Sequence, residues 1–540
     1  MASGMPHRLP ESPMIQTLSR RNLLTIAAAA GLAPVVSGGA EAATALRFGP
    51  TAPFSYNALK QMAAERAGKP YVPPSRPNPE IVRRIDYDNH GKLRFDKDVA
   101  LFAEGPGAYP VTFQHVGQYF PKTVHMHVVE GETAREIVYD PRYFTISSDH
   151  PAAALPPEPS AFAGLWLQEA KSGPWKTQEP WATWLGASYF RGVGELGQVG
   201  LSARGLALSP GQGPGPEEFP DFVGFWIAPA ASETDPVTLY ALMDSPSLSG
   251  AYRFLCRRTS GVVMDIEATL HFRRRVTHVG IAPLTSMYWY SETASSRTID
   301  WRPEVHDSDG LAIWTGGGER IWRPLNNPPR TMTSSFVDRT PRGFGLLQRD
   351  REFLHYLDGV KYEKRPSAWV EPQGDWGRGA VQLVELNTDD EIHDNIVAMW
   401  VPETPAEPGQ PREYRYRLHW LADEPYPTPL ARVVATRLGR GGQPGQPRPQ
   451  GVRKFLVEFK GGPLTNLPKG IIPKPVLWAS RGTFGEYQYT EAVPNDVPGH
   501  WRTQFDLKVE GNDPVEMRCY LRVGDQVASE SWLYQYHPGA

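Results

Sequence analysis

Short runs of alternating character recur along most of this chain, and they constrain its fold more than any other feature. Val124, Met126 and Val128 alternate with His125 and His127, and Glu130-Gly131 then turns the chain into "REIVYD". A period of two puts successive side chains on opposite faces of a strand, so the stretch reads as a hairpin. "TLYALMDS", "AYRFLCRR", "VVMDIEATLHF", "AVQLVEL" and "NIVAMWV" follow, each aromatic or β-branched and bounded by Gly, Pro, Asp or Ser. The 51 Gly and 54 Pro show no period, which supplies many turns and leaves little room for long helices. One helix is predicted over "YNALKQMAAERA", capped by Ser55 and ended at Gly68, with Leu59, Met62 and Ala63 on one face. The fold class is all-β.

At 540 residues the chain is too long for one ordinary domain. Pro and Glu crowd "PETPAEPGQPRE" (402–413), which contains no apolar run and reads as a linker. It would separate a large β-sandwich over 43–401 from a second domain over 414–540. About seven short strands after it, from "YRYRLHWLA" to "ESWLYQY", suggest an immunoglobulin-like sandwich. "GRGGQPGQPRPQG" (439–451) reads as an exposed loop within it.

Residues 1–42 have the order of an export signal. Arg20-Arg21 precede the apolar "LLTIAAAAGLAPVV", and Ala40-Glu41-Ala42 forms a small-x-small cleavage pattern. The paired arginines predict the twin-arginine route to the bacterial periplasm, with the mature chain beginning near Ala43. The apolar segment is too short for a convincing anchor, so no integral membrane segment is expected in the mature protein. A net charge of −3 gives no reason to expect nucleic acid as a partner. Cys256 and Cys519 each sit in an apolar run and read as separate buried thiols, with a disulfide between them left open.

Several motifs fail on their mechanics. Gly192-x-Gly194-x-x-Gly197 matches a dinucleotide fingerprint, yet no helical period follows it to present an N-terminus to a pyrophosphate. "HDSDG" (306–310) lacks the later Glu of a calcium loop. His125 and His127 have no third ligand in view, so no metal site is expected, and no nucleophile elbow is present. What remains is acid-rich: "RPEVHDSDGLAIWTGGG" and "NTDDEIHDNIVAMW" both interrupt aromatic strand sequence. Either alone is more often a surface turn. Together, in a chain with 16 Trp, they suggest glycoside chemistry, which needs two carboxyl groups around a sugar linkage.

The chain resembles the periplasmic glucan biosynthesis proteins of types G and D along nearly all of its mature length. The likeness is carried by "WLGASYFR" (184–191), "GLSARGLAL" (200–208), "EEFPDF" (217–222), "SGAYRF" (249–254) and "GIAPLTSM" (280–287). It continues through "HDSDGLAIWTGGGERIWRPLNNP" (306–328), "GFGLLQRDREF" (343–353), "KRPSAWVEP" (364–372) and "DNIVAMW" (394–400). In the second domain it rests on "PLARVVATRLGRGG" (429–442) and "ESWLYQY" (530–536). The paired-arginine leader points to type D, while "NTDDEIHDNIV" is closer to type G. The resemblance implies a mutarotase-like sandwich followed by the immunoglobulin-like one. It also implies anomer-inverting cleavage or transglycosylation of β-1,2-glucan without a cofactor. Asp394 falls on the family's general acid and Asp307 on its proposed base, with Tyr362, Arg365 and Glu391 on cleft positions. Trp314 and Tyr362 are expected as cleft-rim aromatics that contribute little to stability. A glucan-binding protein without activity, a mutarotase-like epimerase and a homodimer are all compatible with the sequence.

Overall fold

The computed structural model describes residues 45–211, 217–294 and 300–539; the export signal lies outside them. Two large sheets face each other. The first runs from the N-terminal strand Arg47–Pro53 through Val237–Asp244, Leu248–Arg258 and Val262–Phe272. It continues through Arg412–Leu421, Ser367–Pro372, Gly343–Leu347, Gly310–Trp314 and Arg320–Pro324. The second runs from Met332–Arg339 through Arg378–Glu385, Ile396–Pro402, Val279–Ser286 and Ser202–Arg204. Tyr189–Gly192, Ala182–Leu185, Phe162–Leu167 and Val111–His115 complete it.

The alternation seen in the sequence decides which faces meet. Leu239, Ala241 and Met243 point inward from one strand, and Phe113, Leu165, Trp184 and Phe190 point inward from the other sheet, all buried in one core. Trp184 meets Phe254 edge-on at 5.7 Å across that core. The predicted hairpin forms over His125–Glu130 and Thr133–Val138. Gly131, at φ 61°, takes the left-handed turn position that suits a residue without Cβ. The predicted helix covers Tyr56–Ala67, and Ser55 Oγ accepts the Ala58 N–H at 3.1 Å. It lies on the outer face of the first sheet, where Leu59 and Ala63 pack with Trp226, Leu242 and Ala251. Met62, expected on that buried face, is exposed.

The boundary expected at 402–413 does not separate two units. Arg412–Leu421 lies in the middle of the first large sheet, paired with Val262–Phe272 on one side and Ser367–Pro372 on the other. Tyr416, Leu418 and Trp420 enter the main core, while Arg417 on the other face pairs with Asp265 at 2.7 Å. The Pro-rich stretch is therefore an ordered crossover from the second sheet to the first. Its Ala406 pairs with Val276, and Glu407 bonds to Arg275 at 2.8 Å. Composition alone could not separate a crossover from a linker, because both are polar and rich in turns.

The C-terminal unit follows Ala431. Arg432–Arg440, Val452–Lys460, His500–Lys508 and Thr483–Ala492 form one sheet, and Lys474–Ala479, Val515–Val523 and Ser531–Tyr536 face it. Phe455, Phe505 and Trp532 fill its core. Ser531–Tyr536 also pairs in parallel with Arg320–Pro324, Trp322 opposite Trp532, so the first large sheet continues into this unit. Arg349 reinforces the junction, bonding to Glu530 at 2.8 Å and lying 3.7 Å from the Trp322 ring centre. Cys256 and Cys519 are free, buried thiols in different cores. The fingerprint glycines end a strand and close a turn, with Gly194 N–H on the Gln198 carbonyl at 2.8 Å.

Candidate active site

Two backbone segments meet at Met287 and Tyr288, just beyond the strand Val279–Ser286. The Asp307 N–H donates to the Met287 carbonyl at 2.9 Å. Asn395, fully inside the protein, accepts the Tyr288 N–H at 2.8 Å and returns an N–H to the Tyr288 carbonyl at 2.8 Å. The same amide donates to the Leu386 carbonyl at 3.0 Å, closing the loop that carries Asp389 to Asp394. Asp307 itself and Asn395, the residue after Asp394, thus hold the same dipeptide although they are distant in sequence.

Around Asp307 the expected residues form a connected set. Its carboxyl lies 3.5 Å from Arg365 Nε, with both side chains almost entirely buried. Arg365 lies over the Tyr362 ring at 5.4 Å and donates to the Val199 carbonyl. Burial lowers the Arg365 guanidinium to about 10, still charged at neutral pH. The Tyr362 hydroxyl donates to Glu391 at 2.9 Å, and Glu391 accepts from Arg302 at 2.5 Å. Arg302 also binds Asp300 at 2.9 Å and Asp358 at 2.8 Å. The acids of 389–394 therefore part company: Asp389 is exposed, Asp390 accepts the Ile392 N–H, and Glu391 serves the tyrosine–arginine set.

Asp394 faces different partners. It borders a cleft of about 1090 Å³ on the outer face of the second sheet, together with Tyr189, Arg191 and Ser202. Arg204 stands behind it, 4.8 Å from the Tyr189 ring centre and 2.7 Å from Glu217. Burial opposes the charge of Arg204, and Tyr189, Glu217 and Asp394 outweigh it. Sequence reasoning passed over Arg204, Gln348 and Asn395. Nothing in a single chain marks an amide as structural, although all three fall inside or beside the segments that carry the family likeness.

Two expectations about aromatic residues do not hold. Trp314 is not on this cleft. Arg320 lies 3.8 Å and Arg342 5.2 Å from its ring centre, and it packs against the C-terminal core. Its place in an acid-bearing segment misled, because the strand Gly310–Trp314 carries it away toward the junction. Tyr362 is in the connected set but is only 4% exposed, so it is a packed residue rather than a rim platform.

Behind Asp307 lies a second, buried network. Gln348 Oε1 accepts from His306 Nδ1 at 3.1 Å, and its amide nitrogen donates to the His306 carbonyl (3.3 Å), the Tyr356 hydroxyl (3.0 Å) and the Tyr362 carbonyl (3.1 Å). It thereby clamps the Asp307 and Tyr362 segments together. Glu304, Asp350 and His355 bring three potential ligand atoms within 4.8 Å, the spacing a cation needs. Both carboxylates are already in histidine pairs, Glu304 with His306 at 2.9 Å and Asp350 with His355 at 2.5 Å. Burial disfavours the His306 charge, but the bond to Glu304 and the field of Asp309 raise it from 6.5 to about 9. A raised folded value stabilises fully below the unfolded 6.5 and is lost as pH rises to about 9. The span corresponds to on the order of 3 kcal/mol at most. We expect chemical denaturation to show stability falling between pH 6.5 and 9, and His306→Gln to flatten that slope; an unchanged slope would refute the assignment.

An all-β sandwich with a carboxylate-bearing cleft on one sheet and a buried ion-paired aspartate beside it suits a protein that handles carbohydrate. Residues 54–536 match the periplasmic glucan biosynthesis protein family, MdoG. The chain is 59% identical over 533 residues to glucans biosynthesis protein D 2 of Ralstonia nicotianae, covering 96% of this chain and 98% of that protein. It is 44% identical over 532 residues to glucans biosynthesis protein D of Xanthomonas oryzae pv. oryzae, with the same coverage. The chain belongs to the periplasmic glucan biosynthesis protein family, and that membership places it in the periplasm. Among the described residues no helix is long and apolar enough to cross a membrane.

Proposed function

We propose that this protein acts on β-1,2-linked glucan in the Asp394 cleft, by inverting cleavage or transfer, with Asp394 as general acid and Asp307 as general base. The observation that carries the reading is that Asp307 and Asn395, the residue after Asp394, bond to one backbone seam at Met287–Tyr288, with Arg365 against Asp307 and Tyr362 linking on to Glu391. Asp394 would give its proton to the glycosidic oxygen as the bond to the anomeric carbon breaks. An attacking oxygen on the opposite sugar face loses a proton toward Asp307. Inverting enzymes hold their carboxyl groups about 6.5–9.5 Å apart to admit that oxygen. Asp307 is 1% exposed, which favours passage of the proton through sugar hydroxyls or water over direct contact. If water attacks, the product is a shorter glucan; if a glucose hydroxyl attacks, it is a transferred or cyclised one. No cofactor enters these steps.

Linear β-1,2-glucan incubated with the protein and followed by mass spectrometry tests this. Hydrolysis adds the mass of water to each cut chain, and transfer conserves glucosyl mass. Binding with unchanged chain length would instead support a protein that presents glucan to other enzymes, and action on free monosaccharides would support an epimerase.

The proposed route of export is twin-arginine. Replacing Arg20 and Arg21 together by Lys is expected to leave precursor in the cytoplasm, read by fractionation and immunoblotting. Full periplasmic yield of the double variant excludes that route.

A further inference from the structure

The cleft that reaches Asp394 continues well past it along the outer face of the second sheet. Its wall is a cross-strand row in register: Thr112 opposite Trp166, Trp166 opposite Thr183, and Thr183 opposite Arg191. Arg191 donates to Ser202 at 2.9 Å, Ser202 stands opposite Thr285, and Thr285 stands opposite Val397, three residues beyond Asp394. Five inter-strand steps separate the Trp166 strand from the strand after Asp394, a span of about 24 Å at the usual spacing. Leu165 and Leu167 point into the core, while Trp166 between them is only partly buried and lines the cleft.

Five basic and five acidic side chains line the cleft, so it carries no net charge. Lys97 donates to the carbonyls of Lys176 and Gln178 at 2.9 and 3.1 Å, Lys176 pairs with Asp98, and Arg258 pairs with Glu169 at 3.0 Å. These cations are spent on the protein's own groups. A partly exposed indole flanked by Thr183 and Arg191, in a cleft without net charge, suits a neutral polyhydroxylated chain whose sugar rings offer flat C–H faces.

We propose that this far wall is a distal glucosyl-binding site, with Trp166 as the ring platform and the partly exposed Thr183 and Arg191 as partners for sugar hydroxyls. The inference rests on the glucan reading above and adds to it that recognition extends about 24 Å to one side of the scissile bond. A chain must then span from Trp166 to Asp394 to be gripped at both ends, so the protein favours long glucans and fixes the length of one product.

The test compares wild type, Trp166→Ala and Trp166→Phe on long linear β-1,2-glucan and on oligosaccharides too short to reach Trp166. Turnover, binding by calorimetry and the product-length distribution are measured. Trp166→Ala is expected to raise KM for long chains about tenfold, as for a lost aromatic contact. Its product lengths should spread, its kinetics on short oligosaccharides should stay unchanged, and Trp166→Phe should recover most of the loss. A folded Trp166→Ala protein with wild-type KM and product lengths overturns the proposal. So does an equal loss on long and short substrates, since that marks a general structural effect. If wild type neither binds nor alters β-1,2-glucan, the parent reading falls first, and that result is read independently of the variants.

Discussion

Asp394→Asn is expected to lower turnover of β-1,2-glucan by a factor of about 10²–10⁴ while leaving glucan affinity nearly unchanged. Asparagine keeps the shape and polarity of the side chain and removes the transferable proton. Asp394 itself is not part of the amide clamp; the neighbouring Asn395 holds the loop through Tyr288 and Leu386. The substitution therefore removes chemistry with little disturbance of geometry. Calorimetry gives the affinity and mass spectrometry of products gives the rate. Wild-type turnover in Asp394→Asn would refute its assignment as the acid. Loss of affinity in parallel with rate would instead make Asp394 a binding residue.

Tyr362→Ala is expected to destabilise the protein by about 3–5 kcal/mol, the usual range for deleting a large buried aromatic side chain. The ring lies 5.9 Å from Tyr356, beneath the Arg365 guanidinium, and its hydroxyl satisfies Glu391. Removing it opens a cavity and takes one partner from a carboxylate that is itself half-buried. Tyr362→Phe isolates the second effect and should cost about 1.5–3 kcal/mol, since the lost bond is to a charged group. Chemical denaturation of both variants separates the two contributions. A melting curve for Tyr362→Ala within a degree or two of wild type would restore the rim placement that its sequence context suggested.

The contrast between Tyr362 and Trp166 shows what could be read in advance. Period-two alternation located the strands, and Ser55 located the helix, because each is a local rule acting on adjacent residues. The two acidic segments stood out as well, although each alone reads as a surface turn and Asp389 is exposed. What a side chain faces depended on partners from other segments of the chain. Trp314 and Tyr362 both followed acid-bearing sequence, yet one is carried to the C-terminal junction and the other is packed under an arginine. Trp166, in a plain strand with no charged neighbour on either side, left no mark until the second sheet was laid out. The misplaced boundary has the same origin: whether Arg412–Leu421 belongs to the first unit or the second is decided by its pairing with Val262–Phe272 and Ser367–Pro372, which lie up to about 150 residues earlier.

The continuation of one sheet across the junction bears on how the molecule comes apart. With Trp322 paired to Trp532 and Arg349 holding Glu530, the C-terminal unit shares backbone hydrogen bonds and buried charge with the unit that carries Asp307. Severing that seam exposes unpaired strand edges on both sides and takes from the buried Arg349 side chain its nearer carboxylate partner, leaving Glu424 at 3.5 Å, so melting either half first is costly. A single cooperative transition is therefore the expected outcome of melting by heat or denaturant, with the two units lost together.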